Sequence, residues 1–137
     1  MRRRRRRVIA AALVAALAVV PGAASAADAD ALAVHDYLLS CGGCHGLDGA
    51  GSARVPSLRG IDHLLARPGG RAYVLRVPGV ASAPLPDVRL AALLDWIFVN
   101  FQNRTAAAFR ASEVAAARAT PLVDPKAARA ALERPPG

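Results

Sequence analysis

The stretch Tyr37-Leu38-Leu39-Ser40-Cys41-Gly42-Gly43-Cys44-His45-Gly46 holds both cysteines of the chain, with a histidine directly after the second. Upstream of it, Leu32 to Ser40 places Val34, Tyr37 and Leu38 with Cys41 on one helical stripe, which predicts a short helix running into the cysteines. Downstream, Gly42, Gly43, Gly46, Gly49 and Gly51 crowd into the segment 42–51, and such φ-permissive residues predict a tightly folded loop continuing to about Gly60. A cysteine pair that ends a helix and opens a glycine loop, with no strand before it, belongs to an all-α arrangement.

Working outward, Ile61 to Ala66 predicts a short helix stopped by Pro68-Gly69-Gly70, and Arg71 to Arg76 another stopped by Pro78-Gly79. The strongest helix spans Asp87 to Gln102, where Leu90, Leu93, Leu94, Ile97, Phe98 and Phe101 recur at helical spacing behind Pro86 and Asp87. From Thr105 the chain is rich in Ala and Arg, and two short, weakly held helices are expected there, with starts at Ser112 before Glu113 and at Asp124-Pro125. No β-hairpin, βαβ unit or internal repeat is evident. At 137 residues the chain has room for one core, which the sequence assigns to residues 27–104, followed by a helical tail over 105–137.

The N-terminus has its own logic. Arg2 to Arg7, the apolar run Val8 to Val20, and Ala24-Ser25-Ala26 follow the order of a signal peptide, so residues 1–26 are expected to be removed after Ala26 and the mature protein to reside in the periplasm, with retention of the leader as an N-terminal membrane anchor the alternative. The apolar run falls short of the roughly 20 residues a spanning helix needs, so no stable membrane span is expected once the leader is cleaved. The formal net charge of +8 also dissolves on inspection: six of the 18 basic residues are Arg2–Arg7, and the remaining 12 stand against 10 acidic ones. A mature charge of about +2 gives no case for a nucleic-acid partner.

Cys41-x-x-Cys44-His45 in an exported chain reads as a site of covalent haem c attachment. Two thiols three positions apart match two vinyl groups along one porphyrin edge, and the adjoining imidazole is then placed as the proximal iron ligand. Other readings of the same residues are weaker. A thioredoxin-like dithiol wants a preceding strand and a helix N-terminus. Structural zinc needs a fourth ligand, and only His35 and His63 remain. A disulfide across two residues is strained and leaves His45 without a role.

With those residues in view, the sequence resembles the small class I c-type cytochromes over roughly Ala31 to Asn103. Tyr37 precedes Cys-x-x-Cys-His-Gly, Asp48-Gly49-Ala50-Gly51 forms a glycine turn, Pro56-Ser57-Leu58 follows, and a long helix with Trp96 closes the domain. The resemblance implies one haem wrapped by a small helical domain, with the Pro56 carbonyl accepting the His45 Nδ1 proton and Leu58 against the haem face. Trp96 and Tyr37 are expected to pack where the first and last helices cross. Its implied activity is single-electron transfer with exported redox partners, such as a dehydrogenase or a respiratory complex.

The chain departs from that family at the sixth ligand. The family's usual methionine has no counterpart, because Met1 is the single methionine and falls in the leader. The segment 77–85 expected to carry it offers only Ser82 as a donor side chain. His63 is the leading distal candidate, with His35, Lys126 and the new N-terminal amine behind it. A vacant distal position is the other expectation, and it opens a second function, binding of a gas or peroxide. No catalytic constellation is evident, and a weak peroxidase would need a polar distal residue such as Arg76 or His63.

Overall fold

The computed structural model describes residues 25–101, 103 and 107–134; apart from Ser25 and Ala26, the leader lies outside them. Among the described residues all regular structure is helical, and no helix is long and apolar enough to cross a membrane. The all-α expectation holds.

Helix α1 (Ala26–Tyr37) passes without a break into a π-turn (Leu38–Gly42) and a last turn, α2 (Gly43–His45). Its buried face is Ala33, Asp36 and Tyr37, while Val34 and Leu38 are 40% and 49% exposed, so the expected stripe is off by one residue. Two polar contacts explain the rotation. Asp36, 2% exposed, forms an ion pair with Arg89, and the Tyr37 hydroxyl donates to the Gly46 carbonyl at 2.5 Å. The π-turn then adds a residue to the turn, which breaks the 3.6-residue count used to reach Cys41.

Helix α6 (Asp87–Asn100) is the central element, and Leu90, Leu93, Leu94, Ile97 and Phe98 are each at most 4% exposed. It stops short of the expected Gln102, because Phe101 leaves helical geometry at φ −105°, ψ 51° and Asn103 Nδ2 donates to the freed Phe101 carbonyl at 3.3 Å. Tyr37 of α1 meets Trp96 and Phe101 at ring-centroid distances of 5.7 and 4.9 Å. This aromatic cluster marks the α1–α6 crossing, and it includes the Tyr37–Trp96 pair that the resemblance implies.

Between them lie α3 (Asp62–Leu65), α4 (Gly70–Arg76) and α5 (Pro78–Ala81). Pro78 does not simply stop α4. It disfavours helical geometry at Val77 (φ −58°, ψ 139°) and, with its own φ fixed, starts α5 at the first position. Gly70 allows α3 and α4 to touch: a Cβ there would collide with the Leu64 carbonyl.

The expectation of a weakly held tail fails for its first helix, α7 (Ala111–Arg118). Ala107, Phe109 and Val114 belong to the same core as α6, and Phe109 stacks edge-on against Phe98 at 5.8 Å. Arg71 secures this return. Its guanidinium lies 4.2 Å from the Phe109 ring centroid, donates twice to Glu113 at 2.8 Å, and donates to the Ala107 carbonyl at 2.7 Å. The start falls at Ala111, not Ser112, because Glu113 reaches back to the Arg110 N–H at 3.0 Å. Helix α8 (Pro125–Glu133) starts as expected, with Asp124 Oδ1 accepting from Ala127 N at 2.8 Å, and it buries no residue fully.

Candidate cofactor site at Cys41, Cys44 and His45

A cavity of about 330 Å³ opens between the α1–α2 run, the following loop, α4, α5 and α6. That size lies in the range of small-molecule sites. Cys41, Cys44 and His45 all line it, as do Pro56 and Leu58, so every site residue expected on the cysteine side is brought to one wall.

His45 is held by the loop that follows it. Gly51 N–H donates to the His45 carbonyl at 2.8 Å, and Leu58 N–H donates to the Gly49 carbonyl at 2.8 Å, which folds Pro56 back over the histidine. Gly51 adopts φ +74°, and a Cβ there would strike the Val55 carbonyl, so only glycine allows this closure. His45 Nδ1 then donates to the Pro56 carbonyl at 3.0 Å. A carbonyl can only accept, so the Nδ1 proton is fixed and the neutral ring keeps its lone pair on Nε2.

Neither cysteine is in a disulfide. Burial, with the neighbouring Cys44 adding to it, pushes the Cys41 thiol up to about 11, so it is protonated at neutral pH. That is opposite to the lowered value of a dithiol oxidoreductase, whose nucleophile is a thiolate. Among the described residues no three His, Cys, Asp or Glu side chains gather as a metal site; Cys41, Cys44 and His45 are instead spread along one wall.

The opposite wall is built by Tyr73 and Val74 of α4 and by Val77, Pro78, Val80 and Ala83. Segment 77–85 therefore faces the cavity as expected, but with apolar groups, and Ser82 is exposed and off the wall. His63 does not line the cavity. Its Nδ1 donates to the Gly60 carbonyl at 2.9 Å and its Nε2 faces Glu133 at 3.6 Å, so both ring nitrogens of this distal candidate are directed elsewhere. Arg76 is likewise diverted, donating to the Thr120 carbonyl at 2.5 Å, and His35 and Lys126 are exposed away from the wall.

Three residues beyond the sequence reading shape this side. Arg118 of α7 donates to the carbonyls of Ala81, Ala83 and Leu85 at 3.1, 2.5 and 2.9 Å and to Asp87 at 2.7 Å, fixing the backbone of the wall. Tyr73 and Arg129 bring polar groups to the wall itself. Nothing in local pattern marks Arg118 or Arg129 among the many arginines of the tail; their roles depend on long-range packing.

Compared with known proteins, the chain matches no family model, no curated protein and no solved structure. The functional reading accordingly stands on the sequence motif and the geometry of this cavity.

Proposed function

We propose that the chain is an exported c-type cytochrome of the periplasm that carries single electrons on one covalently held haem. The observation that supports this most is the His45 Nδ1–Pro56 bond on the wall that also bears two free thiols. It prepares an imidazole with its Nε2 lone pair available, beside the groups that attach a flat, largely apolar cofactor.

The donor set fits that group. Cys41 and Cys44 would each add S–H across a vinyl group, sulfur to one carbon and hydrogen to the other, so no oxidant would be needed. His45 would hold iron through Nε2, and Leu58, Leu94 and Val80 would give the group apolar surroundings. When bound, the haem supplies reversible one-electron chemistry between ferrous and ferric iron. The residues set its potential by ligation and burial. Electron-transfer partners are proposed as exported redox proteins or a respiratory complex.

A second reading, reversible binding of a small molecule such as a gas or peroxide, draws on the apolar wall over 77–83, which supplies no methionine or histidine. Visible spectra of the exported protein, oxidised and reduced, test both. Haem bands with reversible one-electron titration support the carrier, and a rapid shift of the reduced bands with carbon monoxide supports ligand binding. A protein that carries no haem when exported from a host able to attach it contradicts both.

A further inference from the structure

The described cavity wall carries no Asp or Glu, yet two guanidinium-bearing residues reach it, Arg54 from the loop and Arg129 from α8. Arg129 lies near the end of a segment outside the stretch that resembles a cytochrome. Pro125 lines the cavity with it, so α8 forms part of the enclosure.

Several contacts bring α8 there. Leu122 N–H donates to the Arg76 carbonyl at 2.8 Å, which ties the approach of α8 to the end of α4. Asp124 caps the helix, and Leu132 rests against Gly69 at the α4 start, 3.8 Å from where a Cβ would be. The Arg129 side chain is only 27% exposed, and its Nε donates to Glu133 Oε1 at 2.8 Å. Glu133 in turn faces His63 Nε2 at 3.6 Å. Tyr73 lines the same cavity, and its phenol is close enough to feel the Arg129 charge.

One edge of the guanidinium is thus held by Glu133, and the group borders a cavity whose wall offers it no other carboxylate. A planar guanidinium fixed in this way is suited to paired hydrogen bonds with a carboxylate. We propose that Arg129, oriented by Glu133 and assisted by the Tyr73 hydroxyl, binds a carboxylate of the cavity's occupant, making α8 part of the cofactor site. On the haem reading, on which this inference rests, that group is a propionate. A free small anion is the alternative source of the same chemistry.

The test uses the full-length holoprotein, its covalent haem first established by a denatured pyridine haemochrome spectrum, so that an absent cofactor is distinguished from a failed role for Arg129. Midpoint potentials are then measured across acidic to alkaline pH for wild type, Arg129→Gln, Arg129→Lys, Tyr73→Phe and Lys126→Gln, an exposed control on the same helix. A carboxylate that loses its cationic partner keeps an uncompensated negative charge, which favours ferric iron. Arg129→Gln therefore lowers the potential most at high pH, and the gap from wild type closes as pH falls and the carboxylate protonates. Arg129→Lys recovers part of the loss, Tyr73→Phe shifts the same way by less, and Lys126→Gln stays at the wild-type value.

The charged or titratable groups facing Arg129 are Glu133, His63 and Tyr73, so His63→Gln in wild-type and Arg129→Gln backgrounds separates imidazole titration from that of the carboxylate. The proposal is overturned if Arg129→Gln and Lys126→Gln behave alike, or if the pH-dependent gap vanishes with His63. It is also overturned if the potential is unmoved while formate or azide affinity falls tenfold or more, which assigns Arg129 to a free anion.

Discussion

The two walls of the cavity are specified in different ways. On the cysteine wall, Cys41, Cys44, His45, Gly51, Pro56 and Leu58 lie within one short span, and their contacts are local: His45 to Pro56, Gly51 to His45, Leu58 to Gly49. On the facing wall the lining residues over 77–83 are apolar, and what fixes their backbone comes from far along the chain, Arg118 onto 81–87. A wall made of local contacts carries a readable motif. A wall held by a distant arginine does not.

The largest expected effect comes from breaking the cysteine wall. With Cys41→Ser and Cys44→Ser together, covalent haem falls to background, and the protein, left with an unfilled apolar cavity, is loosely folded by near-ultraviolet circular dichroism. A rigid, cooperatively melting double variant would show that the cavity does not depend on its occupant.

The facing wall is sharpened next. Ala83 is 5% exposed and lines the cavity, and on the haem reading a thioether placed there would offer iron a further ligand. Ala83→Met is expected to raise the midpoint potential and to slow carbon monoxide uptake by the reduced protein. Unchanged uptake would count against Ala83 facing the iron of a bound haem.

The third prediction concerns the tail as core. Phe109 is 6% exposed against Phe98, and Phe109→Ala is expected to cost roughly 3 kcal/mol in denaturant unfolding of the holoprotein. A loss below about 0.5 kcal/mol would return the tail to the weakly held segment read from sequence.

The smallest effect is electrostatic. Hydrogen bonds from Arg71, followed by one from the Arg110 backbone, hold the Glu113 carboxyl near 2, below its ordinary 4.5. A depressed folded-state value gives stability that is present above the unfolded value and lost as pH falls from about 4.5 towards about 2. Glu113→Gln should flatten that part of the acid-unfolding profile. A profile identical to wild type would show that the Arg71–Glu113 pair contributes nothing.

The same contrast explains what the sequence reveals. Helix α6 is legible because its apolar residues repeat at one period and face one core, and the Asp124-Pro125 helix start follows from an equally local signal, whereas the Tyr37–Trp96 crossing is implied only by the family resemblance. The α1 face is misread because the buried Asp36–Arg89 pair joins residues 53 apart and the π-turn changes the count before Cys41. His63 looks available in sequence, and it is the fold that directs its two nitrogens to Gly60 and Glu133. Phe109 and Val114 are isolated apolar residues in an Ala- and Arg-rich stretch, so no periodicity announces that they complete the core.

The central claim, that the cysteine wall exists to attach a haem, is tested most directly by the intact mass of the exported protein after denaturation. The account predicts one species heavier than the mature chain by a single haem, with the cofactor remaining through acid and organic solvent. A mature chain of unmodified mass, or one lighter by the two hydrogens of a Cys41–Cys44 disulfide, would contradict it.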